Sequence, residues 1–114
     1  MTARIVIYGV DDVLLHTRQA ILRSTGLSCA ATADIGDVVD LLDTEDPVLL
    51  IVCSSVGREL RHTVISAVDK LGKPNLRKLI LSKQIADDAE GNTAVLLTPA
   101  SPQTFISTVR ESIQ

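Results

Sequence analysis

At 114 residues the chain is one domain of ordinary size, long enough to bury a real core, and its 46% hydrophobic and 22% charged content excludes a disordered polypeptide. A net charge of −3 without any Lys/Arg cluster argues against a nucleic-acid-binding stripe, and no apolar run reaches membrane-spanning length. With one Phe, one Tyr and no Trp, the core has to be aliphatic.

The N-terminus Met1-Thr2-Ala3-Arg4 leads into a strand-like run, not into a signal peptide. Arg4-Ile5-Val6-Ile7-Tyr8-Gly9 reads as a first buried strand, β-branched and bounded by glycine. Asp11 or Asp12 then caps a helix running to about Thr25, with Leu14, Leu15, the stem of Arg18, Ile21 and Leu22 on one face and Gly26 as its stop. Leu27 to Thr32 is a second strand whose small side chains suit a sheet edge. Asp34 caps a second helix with Ile35, Val38, Val39 and Leu42 on one side and Asp37, Asp40 and Asp43, most simply solvated, on the other.

The run Pro47-Val48-Leu49-Leu50-Ile51-Val52-Cys53 is apolar without alternation and only long enough for a strand. A strand apolar on both sides must be covered on both faces, as in the centre of a parallel sheet between helices. A third helix is expected from Arg58 to Leu71, carrying Leu60, Val64, Ile65, Val68 and Leu71, with Gly72 and Pro74 as its stop. Leu79 to Ser82 and Thr93 to Leu97 complete five strands. Between them Gln84 to Glu90 has room for about two helical turns at most, so a shortened fourth helix or a loop is expected. Ser101-Pro102 opens a last helix with Phe105, Ile106, Val109 and Ile113 on one face. Strand and helix alternating with short links give an α/β domain, a doubly wound parallel sheet with right-handed crossovers.

In its ordered spacing the whole chain, residues 1–114, resembles the receiver domain of two-component response regulators. Arg4 to Ile7 with Leu14 to Arg18, Gly26 to Leu42, Pro47 to Cys53, Leu79 to Ser82 and the turn Thr98-Pro99-Ala100-Ser101-Pro102 carry the resemblance. It implies a flavodoxin-like sheet of order 2-1-3-4-5. It also implies a chemistry in which a histidine kinase transfers a phosphoryl group to an aspartate ending the third strand. An acidic pair after the first strand holds Mg2+ there, a Ser or Thr ends the fourth strand and a Lys the fifth; carboxylates suit a hard cation, and donors steady the phosphoryl oxygens.

Carried over residue by residue, the acceptor position falls on Cys53, the acidic pair on Gly9 and Val10, the hydroxyl on Ser82, the lysine on Thr98 and the aromatic switch on Val95. Only Ser82 fits its role. The resemblance therefore implies a degenerate receiver, or pseudo-receiver: no enzyme, no metal or other cofactor, and signalling by protein–protein contact. The partner would be another protein, or a second copy docked through the fourth helix, fifth strand and fifth helix or through the first helix. Two alternatives stand beside it. Asp11 and Asp12 could serve as a shifted acidic pair in a conventional phosphorylated regulator, or Cys53 could act as a redox or nucleophilic thiol.

Cys53 invites comparison with the Cys-x5-Arg loop of thiol phosphatases, but Arg58 comes one residue too early and Arg61 too late. The simpler expectation is a small buried thiol in place of a carboxylate. Cys29 and Cys53 have no metal-ligand spacing and, without a secretion signal, read as reduced thiols of a cytoplasmic protein. His16 and His62 read as ordinary helix positions without a convergent acid or thiol. Gly9 alone is no dinucleotide fingerprint, the Gly-x-Gly-x-x-Gly spacing being absent.

Overall fold

The computed structural model describes residues 4–82 and 93–113. Five strands, β1 (Ile5–Tyr8), β2 (Cys29–Thr32), β3 (Leu49–Val52), β4 (Arg77–Ser82) and β5 (Thr93–Leu97), form one sheet of order β2-β1-β3-β4-β5. Every neighbouring pair is parallel, with Tyr8 opposite Val52 and Val52 opposite Ile80. This is the expected doubly wound sheet in the expected order, with the small-residue strand β2 at one edge.

Four helices stand among the described residues: α1 (Asp12–Ser24), α2 (Ile35–Thr44), α3 (Arg58–Asp69) and α4 (Pro102–Ser112). The expected short helix between β4 and β5 falls outside the described residues. Every residue of β1 and β3 is buried, which is why both read as unbroken apolar runs. On one face Ile5, Ile7, Leu49 and Ile51 pack against Leu15 and Leu22 of α1 and Phe105 and Val109 of α4. On the other Val6, Tyr8, Leu50 and Val52 pack against Val38 and Leu42 of α2 and Val64 and Val68 of α3.

The helix ends follow the signals in the sequence. The Asp11 carboxylate accepts from Leu14 N, Asp34 from Gly36 N, and the Ser101 hydroxyl from Thr104 N. At the end of α1 Gly26 takes φ 86°, and the amides of Gly26 and Leu27 donate to Arg23 and Leu22 carbonyls, a Schellman close that needs the left-handed glycine. Several bounds shift. β2 starts two residues late, α3 stops at Asp69, and β4 begins at Arg77, where Arg77 is exposed and Lys78, mostly covered, places Nζ 2.9 Å from Asp69 Oδ1 while the strand pairs. Leu60, expected in the apolar series of α3, is 44% exposed, while Val56 ahead of the helix is buried in the cluster with Val64 and Val68. Asp37 is not merely solvated: its Oδ2 accepts from Thr32 Oγ1 at 3.1 Å, tying α2 to the end of β2. No helix among the described residues is long and apolar enough to cross a membrane.

Candidate functional site

In an open parallel sheet, the place for chemistry is the rim beyond the carboxyl ends of the strands, near the point where the strand order reverses. Here that point lies between β1 and β3. The pairing of Tyr8 with Val52 continues in the bond from Cys53 N to Tyr8 O at 2.9 Å, so Gly9 and Cys53 leave their strands side by side. They touch. A methyl group on Gly9 would stand 3.0 Å from Cys53 Cβ, 3.1 Å from its Sγ and 3.5 Å from Leu15 Cδ1. A side chain at position 9 would therefore run into the Cys53 and Leu15 side chains.

The neighbouring residues close the rim further. The amides of Val10 and Asp11 both donate to Ser55 Oγ at 3.3 Å, which pins the β1–α1 loop to the loop after β3. Val10 itself is 45% exposed and offers no ligand atom from its side chain. Asp11 spends its carboxylate on the α1 cap, accepting from Leu14 N at 3.1 Å. Asp12 points into solvent, where its Oδ1 lies 3.4 Å from His16 Nδ1, one turn along. His16 thus does have an acidic neighbour, contrary to the expectation from sequence spacing. His62 lines an open depression between α3 and strands β4 and β5, with Arg58, Arg61, Asp69, Ile80 and Thr93. Among the described residues no three His, Cys, Asp or Glu side chains gather as a metal site would require.

On the β4–β5 side, Ser82 is buried and its carbonyl accepts from Thr98 N at 2.7 Å and Thr98 Oγ1 at 3.2 Å. The Thr98 hydroxyl proton is thereby committed to the backbone. Thr98 precedes a cis peptide to Pro99. Val95 is half-buried opposite Ile80.

The electrostatics of Cys53 decide what it can do. Burial pushes its pKa from 9.0 up to about 11, and the negative charge of Asp11 adds to this, while the Arg18 guanidinium beside it pulls the other way. Desolvation wins, so at neutral pH the group is a thiol and not a thiolate, the opposite of what a nucleophile or redox sensor needs. Cys29 is buried as well, its pKa raised by burial against the opposing pull of Arg23.

Arg18 is the residue whose part the sequence undersells. Its stem fills a position in the α1 apolar series, as expected, but the half-buried side chain also turns part of its head inward: the guanidinium lies beside the Cys53 thiol, and Nη1 is shielded from water with no hydrogen-bond partner among the described residues. The signal was present, a cation in the series Leu14, Leu15, Ile21, Leu22, yet a long side chain there ordinarily snorkels to the surface.

No family model matches the sequence, and no curated protein does either. Solved structures do. A chemotaxis protein CheY4 from Vibrio cholerae superposes with a TM-score of 0.82 at 13% identity, covering 98% of this chain and 99% of that one. A CheY-like response regulator receiver domain protein from Methanospirillum hungatei JF-1 gives 0.80 at 17%, covering 99% and 94%. A response regulator receiver domain protein from Bacillus halodurans c-125 gives 0.79 at 16%, covering 98% and 97%. At these identities the likeness is one of fold: the described residues have the architecture of response-regulator receiver domains.

Proposed function

We propose that this chain is a receiver-type domain of two-component signalling that acts through protein–protein contact, without Mg2+-dependent phosphorylation of an aspartate. The fold it shares with receiver domains supports the signalling assignment. The observation that carries the second half is the contact of Gly9 with Cys53. Receiver chemistry implies carboxylates at Gly9, Val10 and Cys53 and a lysine at Thr98; none of the four positions carries such a group, and between the tips of β1 and β3 the Cys53 side chain lies where a side chain at position 9 would go. The partner is a protein, or a second copy of the chain, docked on the face of β5 and α4 or on α1, where Val13 and Leu14 are exposed.

Two facts weigh against a conventional regulator using Asp11 and Asp12. One carboxylate is the α1 cap and the other pairs with His16 on the outside of the helix. Against a thiol switch stands the raised pKa of Cys53.

Beryllofluoride or acetyl phosphate with Mg2+ tests the proposal on the 15N-labelled chain. Amide shifts at Gly9, Cys53, Ser82 and Thr98 are expected to stay where they are. Saturable, Mg2+-dependent shifts at these residues, or a phosphoprotein mass that hydroxylamine removes, would overturn it.

A further inference from the structure

α1 and α4 lie on the same face of the sheet, and between them, over the ends of β4 and β5, opens a cleft of about 230 Å3. It adjoins the Gly9–Cys53 contact, because Arg18 in its wall lies beside the Cys53 thiol, but it does not depend on the signalling role proposed above. Its walls are mainly apolar: Leu14 and Ile21 from α1, Leu81 and Leu96 from the strands, Phe105 from α4. Set into them is one charged group, Arg18, and two hydroxyls, Thr17 and Thr98. Thr17 donates to Val13 O at 2.7 Å and Thr98 to Ser82 O at 3.2 Å, so neither has a proton to offer a guest.

Arg18 does. A guanidinium carries five N–H donors; the Cys53 thiol beside it is a weak acceptor, and Nη1, shielded from water in this conformation, finds no acceptor among the described residues, so the head gains by turning to one. A buried donor left without a partner costs free energy that an acceptor recovers. An apolar cleft with a single cation in its wall fits an anion of single charge on an apolar body, and the forked guanidinium fits a planar carboxylate in particular. At ~30 Å3 per water, the cleft has the room of roughly seven or eight waters, enough for a ligand of about eight non-hydrogen atoms at liquid density.

We propose that the α1–α4 cleft is a binding site for a small aliphatic or aromatic monocarboxylate, its carboxylate held by Arg18 and its tail lying against Leu81, Leu96 and Phe105. The guanidinium turns toward the cleft as the carboxylate arrives, so the amides around Arg18 and Cys53 report on occupancy.

Hexanoate and its uncharged counterpart hexanamide are the probes, titrated into the full 15N-labelled chain. Hexanoate is expected to give saturable shifts at Arg18, Leu81 and Thr98, with hexanamide on the order of ten- to a hundredfold weaker. Arg18→Met, which keeps the stem and removes the charge, brings the acid down to the level of the amide. Ala100→Leu keeps Arg18 and fills the cleft, and abolishes both. Equal binding of acid and amide, shifts that map outside the cleft, undiminished hexanoate binding by Ala100→Leu, or no saturable shift at all would overturn the proposal. Should Arg18→Met fail to fold, the acid–amide ratio and Ala100→Leu still decide it.

Discussion

Two regions of the carboxyl rim of one sheet have opposite characters. Over the tips of β1 and β3, where the strand order reverses, Gly9 and Cys53 are in contact and the uncharged thiol is buried. Over the tips of β4 and β5 a cleft stays open, with a guanidinium in its wall. The same sheet register builds both, since strand pairing fixes where the rim is but not whether side chains fill it. Side-chain volume decides that. At the first tip a glycine lets the thiol come close; at the second, Ala100 and Thr98 are too small to close the gap between α1 and α4.

The largest expected effect comes from charging the closed region. Cys53 has its pKa raised from 9.0 to about 11 in the folded chain. A folded-state pKa above the unfolded one means that the folded chain holds the proton more tightly. The associated stability is therefore fully present below pH 9 and lost as pH rises through about 11. The loss is on the order of 2–3 kcal/mol. Urea melts between pH 8 and 11 are expected to show it, and Cys53→Ala is expected to remove that part of the slope. Alkylation of Cys53 by iodoacetamide should be slow at pH 8 and rise only in the same window. Fast labelling at pH 7 would break the contrast between the two regions by making the closed one reactive.

Next in size is the contact itself. Gly9→Ala drives a methyl group to 3.0 Å from Cys53 Cβ and 3.1 Å from Sγ in a region with no slack, and overpacking of this kind costs about 1–3 kcal/mol. Cys53→Gly removes both atoms, so in that background the Gly9→Ala penalty should fall below about 0.5 kcal/mol. A double-mutant cycle by urea denaturation measures the coupling. Strict additivity would mean that the two tips do not press on each other.

The open region predicts a change of opposite sign. Arg18→Met takes away a buried donor without a partner among the described residues and keeps the stem that packs with α1. Stability is expected to rise by roughly 1 kcal/mol, in a thermal or urea melt without added ligand. A residue whose removal stabilises the empty chain is the pattern of a binding position held at a cost. A drop in stability would show that the guanidinium is already well satisfied, and would sharpen the contrast in the other direction.

The sequence made the sheet legible and left the rim half legible, for a physical reason. Strands β1 and β3 are buried on both faces, so composition alone marks them, and the caps Asp11, Asp34 and Ser101 and the stop Gly26 act through local backbone geometry. The rim is made of contacts distant in sequence. Gly9 meets Cys53 and Asp11 meets Ser55 across 44 positions in each case, and no local pattern reports such a meeting. Leu60 belongs to the apolar series of α3 and is still 44% exposed, because periodicity gives the face of a helix but not what packs against each turn of it. Arg18 shows the limit from the other side: its apolar-face position was visible, but whether its head snorkels out or stays in depends on α4, more than eighty residues away.

The smallest effects separate the two acids that follow β1. Asp11 caps α1, and Asp11→Ala should lower stability by about 1 kcal/mol. Asp12 is 84% exposed, within 3.4 Å of His16 Nδ1. Asp12→Ala is expected to change stability by less than about 0.5 kcal/mol, as exposed pairs usually do. The ratio matters more than either number. Were these two residues a metal-binding pair, they would repel each other in the metal-free chain, either substitution would relieve that repulsion, and millimolar Mg2+ would raise the melting temperature of the parent chain and of neither variant. A cap and a solvent-facing acid instead give unequal losses that Mg2+ leaves unchanged. Melts of the three chains with and without Mg2+ distinguish these outcomes, and a Mg2+-dependent rise confined to the parent would reopen the rim over β1 and β3 as a cation site.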